Sequence, residues 1–227
     1  MADIGHYRLV IFDCDGTLVD SQHNIIAAMT TAWRDAGLSV PEPAAVRRQV
    51  GLTLEVAVAR LLPEAAPERV QSLADAYRKI VSNLRATVGL DEPLFDGIRD
   101  LIEDLAAPEV FLGVATGKNH RGLEHTLATH GLRARFHTLQ TSDRCRSKPD
   151  PDMVLKAIEE TGVPAAAAAV IGDTSFDMEM ARSAGATAIG VSWGYHPAEE
   201  LVTAGAHAVI DAPAELIGCL QSLSARR

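Results

Sequence analysis

Asp13 and Asp15 stand one residue apart in the stretch RLVIFDCDGTLVDS, at the end of an apolar run. Further on, VAT is followed by Gly117 and Lys118, RSKPDP carries Lys148, and AVIGD ends in Asp173, with Thr174 and Asp177 close behind. Carboxylates packed together repel, so such a cluster is stable only around a cation or with some groups protonated. Oxygen-only ligands, completed by waters and a substrate phosphate, describe Mg²⁺ better than zinc, and Asp13 and Asp173 are the candidate ligands. A metal-bound carboxylate facing a phosphoryl group can attack it to give an aspartyl-phosphate, which is the role read for Asp13. Asp15 would protonate the leaving oxygen and later take a proton from the hydrolytic water. Thr116 and the Gly117 amide would donate hydrogen bonds to the non-bridging oxygens, while Lys148 balances their charge.

Each of these residues needs an element to hold it. RLVIF (8 to 12) is too short for a helix and fits a strand buried on both faces. Similar runs follow at 109 to 116, 169 to 173, 186 to 191 and 207 to 210, with a weaker one at 135 to 139. Helical patterns lie between them. Ile98, Leu101, Ile102 and Leu105 form one stripe; another begins with Asp150 as N-cap and Pro151 as first helical residue, and stops at Gly162. This alternation predicts a doubly wound α/β domain with a parallel sheet, in which ligands bind beyond the carboxyl ends of the strands. Every polar cluster named above falls at that edge. One D-x-D alone is more often a solvated loop or a helix-capping pair than a catalytic one; four clusters on successive segments point to a shared site. An EF-hand is excluded, because its third oxygen ligand before the glycine is missing and a strand enters Asp13.

Residues 21 to 90 break the alternation with four helical patterns. Ile25, Met29 and Trp33 mark the first, and Val70, Leu73, Tyr77, Ile80, Val81, Leu84 and Val88 mark a long amphipathic helix. The predicted organisation is an α/β core over 1–20 and 91–227 with a helical subdomain over 21–90. The 227 residues, 47% hydrophobic, suffice for a core without staples. A net charge of −9 with no Lys/Arg cluster argues against nucleic acid. No run approaches the roughly 18 apolar residues of a membrane helix, so the expected setting is the cytoplasm, without membrane contact. Cys14, Cys145 and Cys219 have neither the number nor the spacing of a disulfide framework or zinc site.

The chain resembles the haloacid dehalogenase-like hydrolase superfamily over almost its whole length. DCDGTLVDS matches the family's first motif, VATGK the Ser/Thr motif, SKPDP the lysine motif and GDTSFDM the acidic motif. The resemblance implies Asp13 as nucleophile and metal ligand, and Asp15 as acid/base and a ligand through its backbone carbonyl. Thr116 would bind phosphate, Lys148 would be the stabilising cation and Asp173 the second metal carboxylate, with Asp177 supporting the metal's waters or Lys148. The 21–90 insertion is similar to the family's small helical cap, hinged near 17–22 and 88–93. VGLTLE, LATHGL and VSWGYHP look most like the phosphoglycolate phosphatase branch.

The expected activity is therefore Mg²⁺-dependent hydrolysis of a small phosphorylated metabolite by a monomer or homodimer. A sugar phosphomutase of the same superfamily and a catalytically silent phosphate-binding scaffold are the alternatives. A dehalogenase would not need Asp15. A receiver domain would carry its phosphoacceptor on a later strand and lack the helical insertion. For substrate selection the candidates are Arg47 or Arg48 and Thr53, which flank Gly51; adjacent arginines on a helix point about 100° apart, so one of the two at most reaches an anion.

Overall fold

The computed structural model describes residues 3–87 and 89–226; Val88, the last residue of the long helical stripe, lies outside them. Six strands form one sheet: β1 (Leu9–Phe12), β2 (Phe111–Thr116), β3 (Thr138–Thr141), β4 (Ala168–Gly172), β5 (Thr187–Val191) and β6 (Ala208–Ile210). All pairs are parallel, in the order β3-β2-β1-β4-β5-β6. The helices are α1 (Gln22–Asp35), α2 (Pro43–Arg47), α3 (Leu54–Leu61), α4 (Pro67–Thr87), α5 (Ile98–Leu105), α6 (His120–Thr129), α7 (Asp152–Thr161), α8 (Ser175–Ser183), α9 (Ala198–Thr203) and α10 (Leu216–Ser224). The architecture is the Rossmann-like α/β fold that the alternating pattern predicts. None of the helices is long and apolar enough to cross a membrane, among the described residues.

β1 shows why a continuous apolar run is required. Its side chains alternate between faces, so Val10 and Phe12 enter the core built with α5, while Leu9 and Ile11 enter the opposite core with Met153 and Val154 of α7. Both cores are sealed by helical stripes, and all four apolar positions of α5 are buried. β3 starts later than its sequence pattern predicts. Arg133–Arg135 is taken into a 3-10 turn, and the polar run TLQT completes the edge strand because it can pair with Gly113–Thr116. Its polar groups are satisfied locally, Gln140 Nε2 donating to Thr138 Oγ1 at 2.8 Å. α7 also begins one residue past the expected start: Pro151 occupies the N-cap, and Asp150 Oδ1 accepts from the Asp152 amide at 3.0 Å. Gly162 ends it in a left-handed conformation, φ 71°.

Helices α1 to α4 have an apolar cluster of their own, centred on Met29, Trp33, Val46, Val58 and Leu73. The chain leaves β1 and returns to the sheet through two segments that run side by side. The Asp20 amide donates to Pro93 O at 2.9 Å and the Phe95 amide to Leu18 O at 3.1 Å, so exit and return form a paired stem. The far side of the helical unit rests on the sheet edge. Arg48 reaches Glu200 of α9 with two hydrogen bonds of 3.0 and 2.7 Å, and the Thr53 amide donates to Ser147 Oγ at 3.0 Å.

Candidate active site

β1 and β4 are neighbours at the point where the strand order reverses, the crevice in which open α/β sheets bind ligands. This adjacency brings Asp13 beside Asp173 although the two are far apart in sequence. Asp177, on the first turn of α8, joins them, and ligand atoms of the three carboxylates lie within 4.8 Å of one another, all buried. Gly16 allows the packing: its φ is +91°, and a β-carbon there would lie 2.2 Å from Asp173 Oδ2.

The carboxylates are not equivalent. Asp13 Oδ1 accepts from the Cys14 amide at 2.7 Å and meets Lys148 Nζ at 2.9 Å, whereas Asp13 Oδ2 is buried without a hydrogen-bond partner. Asp173 is held by Thr17 Oγ1 at 2.8 Å and the Tyr195 amide at 2.9 Å. Asp177 gives Oδ1 to Lys148 at 2.6 Å, and Oδ2 accepts from the Thr174 hydroxyl and amide in the capping box of α8. Its carboxylate is thus committed to Lys148 and the helix start, which fits support of Lys148 better than direct metal ligation. The Asp15 side chain is not part of the trio. Its Oδ1 accepts from Ser21 Oγ and Lys118 Nζ, both at 2.5 Å, and Lys118 is also 3.1 Å from Glu92.

Burial pushes the Asp13 carboxyl up to about 7, against the pull of Lys148. Burial, then the charges of Asp13 and Asp177, drives Asp173 well above the usual carboxylate range. Lys148 is fully buried; desolvation opposes its charge, but Asp13 and Asp177 outweigh that and hold the ammonium form. Lys148 therefore pairs with two of the three carboxylates, Asp173 has no cation beside it among the described residues, and one buried oxygen of Asp13 has no donor. That donor set, hard and anionic with an orphaned lone pair, fits a divalent cation such as Mg²⁺.

Thr116 ends β2, buried, with Oγ1 accepting from the Lys118 amide at 3.2 Å. Gly117 lies directly under the helical unit, and a β-carbon on it would come 2.3 Å from Leu52 O. Because that contact is with backbone, a Gly117→Ala protein should melt below the native temperature and lose about ten- to a hundredfold in kcat/KM through displacement of the segment 51–53. Unchanged kinetics would show that its contact with Gly117 is irrelevant to turnover.

Arg47 and Thr53 are not on the wall of the cavity between the helices and the sheet edge. α2 is a five-residue helix whose following residue, Arg48, is drawn to Glu200, and the Thr53 backbone amide donates to Ser147 Oγ. The cations on the wall are instead Arg78, Arg85, Lys118 and Arg121. Sequence reading also missed the loop after β5. There Tyr195 fixes Asp173 through its amide and Ser21 through its hydroxyl, and Trp193 donates to Thr17 O at 3.1 Å. The available signal was a polar-aromatic segment, SWGYHP, following a strand at the ligand-binding edge.

The family model for haloacid dehalogenase-like hydrolases matches residues 10–191, and the chain belongs to that family. Its relatives are phosphatases by name. The probable phosphatase IndB of Dickeya dadantii is 35% identical over 95% of this chain and 94% of its own, and the N-acetylmuramic acid 6-phosphate phosphatase of Pseudomonas aeruginosa 34% over 94% of each. Proteins named phosphoglycolate phosphatase include that of Synechococcus elongatus, 30% identical over 95% of this chain and 98% of its own. A solved structure of a predicted phosphatase from Clostridium acetobutylicum superposes with a TM-score of 0.85 at 26% identity, covering 95% of this chain and 99% of that one.

Proposed function

We propose that this protein is a Mg²⁺-dependent phosphoric monoester hydrolase working through an aspartyl-phosphate on Asp13. The observation that carries the reading is the asymmetry of Asp13: Oδ1 is pinned by the Cys14 amide and Lys148, and Oδ2 is buried without a protein partner, open to the cation and to the phosphoryl group. Asp13, the Asp15 carbonyl and Asp173 would hold the metal, which supplies positive charge against the incoming phosphate. Asp13 Oδ2 forms a bond to phosphorus as the ester P–O bond breaks, and the leaving oxygen takes a proton from Asp15. Water then attacks the same phosphorus, giving its proton to Asp15, and the bond to Asp13 breaks to release inorganic phosphate. Thr116 and the Gly117 amide stabilise the equatorial oxygens, and Lys148 offsets charge shared with Asp13. The Lys118–Asp15–Ser21 contacts orient the acid/base.

Residues 21–90 are proposed to act as a cap hinged at the paired stem, excluding bulk water when down on the sheet edge. The relatives named for N-acetylmuramic acid 6-phosphate and phosphoglycolate support a small phosphorylated metabolite as substrate, and the cytoplasm is the setting proposed for it. The test is phosphate release, with and without Mg²⁺, across 2-phosphoglycolate, sugar phosphates and nucleotides. Mg²⁺-dependent release without a bisphosphate primer is expected. Turnover only with such a primer would indicate a mutase.

The carboxylates also predict a pH signature. Asp13 and Asp173 have folded-state pKa values above the ordinary 3.8, so the metal-free fold binds more protons than the unfolded chain between about 4 and 7. Its stability falls as pH rises through that window. The Mg²⁺-induced rise in melting temperature should be larger at about pH 8 than at about pH 5. Equal rises would show that the cation does not bind these carboxylates.

A further inference from the structure

The cavity beside Asp13 encloses about 730 Å³. Pockets of about 300–1,000 Å³ take ligands much larger than a two-carbon ester. Its cations divide into two kinds. Lys118 is neutralised by Asp15 and Glu92, and Arg78 by Glu55 and Asp75. Arg85 and Arg121 have no ion pair among the described residues; Arg121 is exposed, whereas Arg85 is half-buried and its Nε is buried without a hydrogen-bond partner. Buried polar atoms are nearly always paired, so an arginine on the wall with neither an ion pair nor a partner for its Nε points to an anionic ligand beside it.

Gly51, also on the wall, marks the phosphate end, since a β-carbon there would lie 3.8 Å from Asp13 Oδ2. Arg85, near the end of α4, reaches the first turn of α6, where its Nη2 would lie 3.7 Å from a β-carbon on Gly122. Met29, Leu54 and Val81 supply apolar wall for a carbon skeleton between them.

We propose that this cavity selects phosphomonoesters of about hexose size that carry a second anionic group, held by Arg85. The inference rests on the phosphatase reading and adds to it an anion subsite. A planar guanidinium matches either a carboxylate or a second phosphate, and the test separates the two.

Binding is measured by calorimetry on Asp13→Asn protein with Mg²⁺, so that no ester is consumed. The ligands are glucose 6-phosphate, 6-phosphogluconate and glucose 1,6-bisphosphate. Only the ratios are read, which cancels any weakening at the phosphate end. At least one dianionic ester should bind about tenfold or more tightly than glucose 6-phosphate; 6-phosphogluconate alone identifies a carboxylate subsite, and the bisphosphate alone a second-phosphate subsite. Adding R85Q should cut the preference to about threefold or less, and R85K should restore most of it. Ratios near one in the Asp13→Asn protein overturn the inference even where R85Q fails to fold. A preference that survives R85Q in folded protein overturns it too. Absence of phosphate release by native protein from every ester, with the binding preference intact, would overturn the phosphatase reading and leave the subsite standing.

Discussion

Replacing Asp13 by Asn is expected to cut phosphate release by at least about a thousandfold while the protein melts at or above the native temperature. The amide oxygen can keep the Cys14 and Lys148 contacts made by Oδ1. The amide nitrogen in place of Oδ2 cannot attack phosphorus. In metal-free protein the change also removes one of three clustered, buried carboxylates, so stability is not sacrificed with activity. Separating these effects distinguishes a nucleophile from a residue that merely holds the fold. A variant that retained substantial turnover would remove Asp13 from that role.

Lys148→Met should cost both activity and stability. Lys148 is the ammonium between Asp13 and Asp177, with side-chain exposure of 0% for all three. Breaking a buried pair by deleting one partner typically costs about 3–5 kcal/mol, because the remaining charge stays in a poorly solvating site. Here the stranded groups are carboxylates, which escape the penalty by taking protons. The difference from native protein, followed by urea denaturation, should therefore be large at about pH 8 and shrink toward about pH 5. A loss independent of pH would mean that Lys148 contributes packing and no charge balance.

The parts of this site that were legible in the sequence share one property: their chemistry and their placement are written in the same short segment. An apolar run ending in DCD names both the strand and the carboxylates at its end, and the same holds for AVIGD and for VAT followed by Gly117. The parallel fold then brings the segments together, since ligand-binding groups collect at one edge of such a sheet. What was not legible depends on partners distant in sequence. Arg47 or Arg48, close to Gly51, reads as a substrate contact, but Arg48 is drawn to Glu200, 152 positions away. Lys118 was noticed in its motif but received no role, because its pairing with Asp15 and Glu92 depends on how the stem folds back. Arg85 was passed over because α4 was read for its apolar stripe, and nothing local marks one polar residue of that helix as lacking a partner. The start of β3 was misplaced for a related reason: the pairing partner decided in favour of TLQT, whose polar side chains hide its strand character.

The most direct test of the account is to quench the enzyme with acid during turnover of a hydrolysed ester in Mg²⁺ and locate the phosphoryl group by mass spectrometry of the peptide containing residues 8–21. The account predicts one phosphoryl group on Asp13, removed by hydroxylamine and absent from the Asp13→Asn protein. Rapid phosphate release with Asp13 unmodified throughout, or with the phosphoryl group on another residue, would contradict it.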